Sequence, residues 1–170
     1  MTAWQSLRLK LHVLVLVPSV YLLLTSPWVM LARRLPEQTS WWNLSHVYLG
    51  LLTCLTGALL LLSNVQDGRW QQYFPWLKGD FKPLLQDLVA LGRGRLPVAG
   101  GRGLFSVIEG LTMVSLLVTV LSGLAWFITQ GSADAMLWRS WHIDATMTFT
   151  VLLCVHIVCA LLHLLDFIRQ

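Results

Sequence analysis

Three histidines, His142, His156 and His163, stand in one apolar run, WHIDATMTFTVLLCVHIVCALLH, that is long enough to cross a bilayer. His142 and His156 are 14 residues apart. At about 100° per residue this leaves them roughly 40° apart around the axis and about 21 Å apart along it. Neutral imidazole is the commonest metal ligand among side chains. Two of them on one face, near opposite leaflets, could each hold a metal centre, the two centres stacked across the membrane. Each centre then needs a second ligand from another element.

The composition supports a membrane setting. Of 170 residues, 56% are hydrophobic and 12% charged, about half the charged share of a soluble domain. Four apolar spans are expected, at about 11–32, 44–64, 105–128 and 136–168, in one domain covering 1–170. The fold class is all-α, an integral membrane four-helix bundle. Pro18 and Pro27 are expected to kink the first span. A polar connection, 65–104, holds a short helix around Pro83 to Leu91. No Walker-type loop, GxSxG or HExxH motif appears. Cys54, Cys154 and Cys159 are odd in number, lack CxxC spacing and read as small buried hydrophobes.

Charge placement sets the orientation. Arg8, Lys10, Arg69, Lys78, Lys82, Arg93, Arg95, Arg102 and Arg169 fall on one side of the four spans, against Arg33, Arg34 and Arg139 on the other. The net charge of +4 is thus a topology signal, with nucleic acid no partner. Both termini and the long connection are expected in the cytoplasm. Trp28, Trp41, Trp42, Trp126, Trp138 and Trp141 gather at the opposite span ends, as an aromatic belt.

This topology pairs the histidines by depth. His12 is 16 residues from Trp28 and His156 is 18 from Trp138, so their depths agree within about 3 Å. His46 and His142 each lie within a turn or so of a belt tryptophan. The expected pairs are His12 with His156 and His46 with His142. Two bis-imidazole sites stacked in a bundle describe two haem b groups. A structural zinc site would want about four ligands at one level. Gly50 and Gly57 share the His46 face within about 40° and open either a groove for a flat macrocycle or a close helix contact. Gly110 and Gly123 in the third span allow the same two readings.

The four positions His12, His46, His142 and His156, with the pair Trp141-His142, resemble the bacterial di-haem cytochrome b superfamily. It includes the formate dehydrogenase cytochrome b (gamma) subunits and the small cytochromes b that oxidise superoxide. The third span, GLFSVIEGLTMVSLLVTVLSGLAWF, and the long connection before it look like the formate dehydrogenase group. Many relatives have His-Trp in the first span, where this chain has His12-Val13. His163 is reminiscent of extra histidines in the superoxide-oxidising group and rivals His156 as the partner of His12, at a depth that fits worse by about 10 Å.

The resemblance implies a multi-pass subunit of the bacterial inner membrane. It would pass electrons between a periplasmic dehydrogenase or reductase with an iron-sulfur subunit and the quinone pool, acting through the outer site and then the inner one. Catalysis by the chain alone would be confined to quinone chemistry. Glu109 is then a candidate proton carrier at a quinone near the cytoplasmic face, or an interfacial carboxylate reaching the headgroups or paired with Arg102. His163 and Asp166 are candidates for the same pocket or its proton path. Arg33, Arg34 and Arg139 could pair with haem propionates or only mark topology, and Asp144 receives no role. Two rival readings are a stand-alone superoxide:quinone oxidoreductase and a haem-free membrane scaffold or assembly protein.

Overall fold

The computed structural model describes residues 3–97 and 101–169, and among these it is helical without strands. Four helices are long and apolar enough to cross a membrane: α1 (Ala3–Thr25), α2 (Trp41–Val65), α5 (Leu104–Ile128) and α6 (Asp134–Arg169). Two shorter ones, α3 (Trp70–Tyr73) and α4 (Lys82–Gly92), lie in the connection between α2 and α5. The short helix expected near Pro83 to Leu91 is α4.

The first span differs from its expected limits. Helix α1 begins at Ala3, because the amphipathic start continues without a break, and runs through Pro18. It closes at Thr25, ahead of a 3-10 turn over Ser26–Trp28 with Pro27 in its first turn. Proline disfavours α geometry in the residue before it. Thr25 Oγ1 and Ser26 Oγ also donate to the carbonyls of Tyr21 and Leu23, at 2.7 and 2.8 Å. The segment from Val29 to Ala32, expected in the membrane, is therefore connection.

The chain falls into two compact units, Met1–Ser63 with Ser115–Thr148, and Asn64–Val114 with Phe149–Gln170. In the first, α1 and α2 pack with the second half of α5 and the first half of α6. Val47, Trp126 and Ala135 form its core at the connection end, flanked by Leu31, Leu35, Leu51 and Phe127. Trp126 is 5% exposed and donates from Nε1 to the Ala32 carbonyl at 2.9 Å. It is a core residue and not part of an exposed belt, whereas Trp28 and Trp42 stack at 5.7 Å and are exposed.

The released carbonyls of the first connection are taken up by the helices around them. Arg139 Nε donates to Leu31 O at 2.7 Å, and Gly131 N–H to Arg33 O at 2.9 Å. Leu35 N–H donates to Gln130 Oε1 at 3.0 Å, and Met30 N–H to Asn43 Oδ1 at 2.8 Å. This clasp joins the connection to the starts of α2 and α6. Arg139 is thereby committed to a backbone carbonyl, while Arg33 and Arg34 are exposed.

In the second unit, Tyr73 and Phe74 are buried against α5. Gly110 makes this possible, because a Cβ there would collide with the Tyr73 carbonyl oxygen. Gln72 Nε2 donates to Ser106 Oγ at 3.3 Å and Thr112 Oγ1 to Leu152 O at 3.4 Å. The cysteines are free, and Cys154, expected inside, is exposed. It sits on a span, where exposure of this chain is exposure to lipid and a thiol behaves as a small hydrophobe.

Candidate functional site

Helix α5 carries a stripe of small polar residues through an otherwise apolar span: Thr112, Ser115, Thr119 and Ser122, all buried, with Trp126 continuing it. The spacing of three and four keeps them on one face. Inside the helix their hydroxyls return to carbonyls one turn back, as Thr119 Oγ1 does to Ser115 O at 2.9 Å and Ser122 Oγ to Thr119 O at 2.7 Å. The Thr119 and Ser122 hydroxyls are so paired within the helix, as a span in hydrocarbon requires.

The Thr119 carbonyl takes a further partner from α6. His142 Nδ1 lies 2.8 Å from Thr119 O and 3.4 Å from Ser122 Oγ. A carbonyl only accepts, so Nδ1 carries the proton and Nε2 keeps its lone pair. This backbone-fixed tautomer is the arrangement of metal-ligating histidines generally. Gly123, one turn beyond Thr119, leaves the carbonyl open. A Cβ at 123 would stand 3.1 Å from His142 Cε1 and 3.2 Å from its Nδ1, so any side chain there crowds the imidazole.

His46, on α2, faces the same ring. The His46 and His142 ring centroids are 6.1 Å apart with planes at 88°. Two imidazoles on opposite sides of one metal, each bonded at about 2 Å, put their centroids roughly 6 Å apart. His46 Nδ1 is buried and has no hydrogen-bond partner among the described residues, a condition that costs about 1–3 kcal/mol unless a ligand relieves it. Both observations fit a bis-histidine metal centre. Among the described residues His, Cys, Asp and Glu nowhere gather in threes, so paired imidazoles are the available donor set.

The glycines near His46 differ from each other. At Gly50 a Cβ would meet nothing within 4 Å, so one turn from His46 the α2 surface faces open space. Gly57 is buried, and its Cβ would rest on Leu116 Cδ2 at 3.5 Å. Gly123 positions His142 and Gly110 admits the Tyr73 backbone. The sequence left all four glycines between groove and packing. The stripe Thr112, Ser115, Thr119, Ser122 was the missed signal for the carbonyl beneath His142.

The remaining candidates divide between the units. His12 lies on α1 in the first and is exposed; His156 lies on α6 in the second and is half-buried. His163 packs edge-on against Phe105 at 5.3 Å, its Nδ1 buried with no hydrogen-bond partner among the described residues. Glu109 lies between Phe105 and Thr112 on α5, as His156 lies between His163 and Leu152 on α6. The two contacts just given therefore put Glu109 at the level of His156. The charge of Glu109 reaches Tyr73 and Arg69, whereas Arg102 pairs with Asp80 at 3.9 Å, so the expected alternative of a Glu109–Arg102 pair is not what forms. Burial, then the Glu109 carboxylate, push the Tyr73 hydroxyl above its usual range, with Arg69 opposing. Asp144 is exposed, and the Asp166 side chain lies outside the described residues.

Comparison with known proteins agrees with this chemistry. A family model described as Prokaryotic cytochrome b561 matches residues 4–166. No curated protein and no solved structure matches the chain. The matched stretch takes in all five histidines, α2 and α5 whole, and α1 and α6 but for their outer ends. The chain belongs to the prokaryotic cytochrome b561 family, multi-pass bacterial membrane proteins that bind haem b and take part in electron transfer.

Proposed function

We propose that this chain is a di-haem subunit of the bacterial inner membrane that exchanges electrons between a periplasmic redox partner and the quinone pool. His46 and His142 would hold one haem b, His12 and His156 the other. The observation that carries the reading is the His46–His142 pair, 6.1 Å between centroids with the His142 tautomer fixed by Thr119. The inner pair rests on the depth count along the sequence. A haem b supplies a one-electron iron couple, whose potential follows its axial ligands and surroundings.

The residues do the rest. Thr119 O holds the His142 ring in the ligating tautomer, and Gly50 leaves the surface beside His46 open. Quinone reduction consumes protons, and the level of His156 offers two groups that could supply them. Tyr73 keeps its proton through the neutral range, and Glu109 lies within electrostatic reach of it. His163, one side of its ring on Phe105, would line the same pocket. With both termini cytoplasmic, this level lies toward the cytoplasm. The partner expected across the membrane is a dehydrogenase or reductase with an iron-sulfur subunit, of the kind that serves formate dehydrogenase.

The test is quinol-driven reduction of the purified protein, followed in the α-band of the b spectrum. Reduction by quinol to most of the extent reached with dithionite is expected. Haem that dithionite reduces and quinol does not would refute the quinone half of the proposal. Quinone reduction by superoxide, with no other protein present, would replace the redox partner with a small substrate.

A further inference from the structure

Helix α4 turns its polarity inside out. Phe81, at its N-cap, and Leu85 and Leu88 fall within about 60° of one another at 100° per residue, and Leu84, Val89 and Leu91 widen the stripe. Its large apolar residues face away from the protein: Leu85 is 58% exposed, Val89 54% and Phe81 47%. No residue of the helix is buried. Gln86 and Asp87 lie roughly 130° from the centre of that stripe. On this polar side Asp87 meets the protein, its Oδ2 accepting from the Leu104 N–H at 2.8 Å, while Gln86 is exposed.

In water an amphipathic helix presents the opposite face to its own protein. The arrangement is stable where the outer medium is lipid. The Asp87 bond holds α4 to the first residue of α5, where a candidate membrane span begins, and so at headgroup depth. Lys82 lies in the first turn of α4, and Arg93 and Arg95 just beyond its last; all three are exposed. Basic residues flanking an apolar stripe are what an anionic leaflet attracts.

We propose that α4 is an interfacial helix, its Phe81–Leu85–Leu88 face seated in the acyl boundary of the leaflet and Lys82, Arg93 and Arg95 on anionic headgroups. The segment is a lipid-binding surface separate from the histidine sites. It requires only that α5 spans the membrane.

The test uses the full-length haem-loaded protein in nanodiscs containing phosphatidylglycerol, its three native cysteines replaced by alanine. A nitroxide is attached at Leu85→Cys, Leu88→Cys or Gln86→Cys. At 85 and 88 the label should be relaxed by oxygen and shielded from a water-soluble nickel chelate, with the reverse at 86. Replacing Lys82, Arg93 and Arg95 together by glutamine should raise nickel access at 85 several-fold. Equal nickel access at 85, 86 and 88 would overturn the proposal, since the face would stand in water. Shielding of 85 and 88 from both reagents would also overturn it, marking a protein partner. Unchanged access after the charge replacements would overturn the anionic-headgroup part.

Discussion

His142 Nδ1 lies 2.8 Å from the carbonyl oxygen of Thr119, and the residue one turn beyond that carbonyl, Gly123, has no side chain to cover it. The acceptor of this bond is therefore set by backbone, and mutation of Thr119 itself leaves the carbonyl in place. The sensitive position is the glycine. Gly123→Ala places a methyl 3.1 Å from His142 Cε1, a crowding that costs about 1–3 kcal/mol in a packed interior. The expected outcome is partial loss of one haem with the other retained, and an altered low-spin EPR signal from what remains. Gly50→Ala, which meets nothing within 4 Å in the protein, separates the two glycines. It should leave apoprotein stability unchanged and lower haem retention only if the macrocycle lies over that surface.

The clasp over the first connection supports the same end of the molecule. Trp126→Phe removes one buried donor and leaves the Ala32 carbonyl unpaired, at a cost of about 1–2 kcal/mol. Arg139→Gln removes the bond to Leu31 O and should add to it by a similar amount. Both variants should unfold at lower temperature in detergent and retain their b spectrum at low temperature. Loss of haem from Arg139→Gln at unchanged thermal stability would instead assign Arg139 to a propionate.

Much of this was legible in the sequence, and the reasons are local. Hydropathy marks four spans, and the spacing of His142 from His156 needs only helix geometry. Counted from the belt tryptophans, His46 and His142 fall at one level, and their ring centroids lie 6.1 Å apart. What was not legible depends on which faces meet. Nothing near Gly123 announces that an imidazole from α6 rests on it. Trp126 looks like a belt residue until the Ala32 carbonyl is brought to it. The close of α1 at Thr25 was visible in Pro27, but hydropathy ran on to Ala32 and outweighed it. Gly110 shows its purpose only when Tyr73 folds back onto α5.

Glu109 and Tyr73 give a prediction independent of haem content. Glu109→Gln and Tyr73→Phe should leave the dithionite-reduced spectrum intact and slow quinol-driven reduction, by about a hundredfold where the group is the proton carrier. An unchanged rate in both would remove them from the quinone chemistry.

Tyr73 also carries a pH dependence of stability. Its hydroxyl is held above the ordinary value, first by burial and then by Glu109. The folded protein thus binds that proton more tightly than the unfolded chain does. The contribution is complete below about pH 10, the ordinary tyrosine value, and is lost as pH rises through the folded value. Thermal unfolding from pH 9 to 11.5 should fall less steeply in Tyr73→Phe than in the parent.

The most direct test of the central claim counts haem against protein in the dithionite-reduced minus oxidised spectrum, with each histidine replaced by alanine in turn. Two haem b per chain are expected. His46→Ala and His142→Ala should each lose the same one, and His12→Ala and His156→Ala the other. Retention of both haems in His46→Ala or His142→Ala would contradict this claim, as would a parent protein that binds none. Loss of the inner haem in His163→Ala but not in His156→Ala would move that ligand two turns along α6.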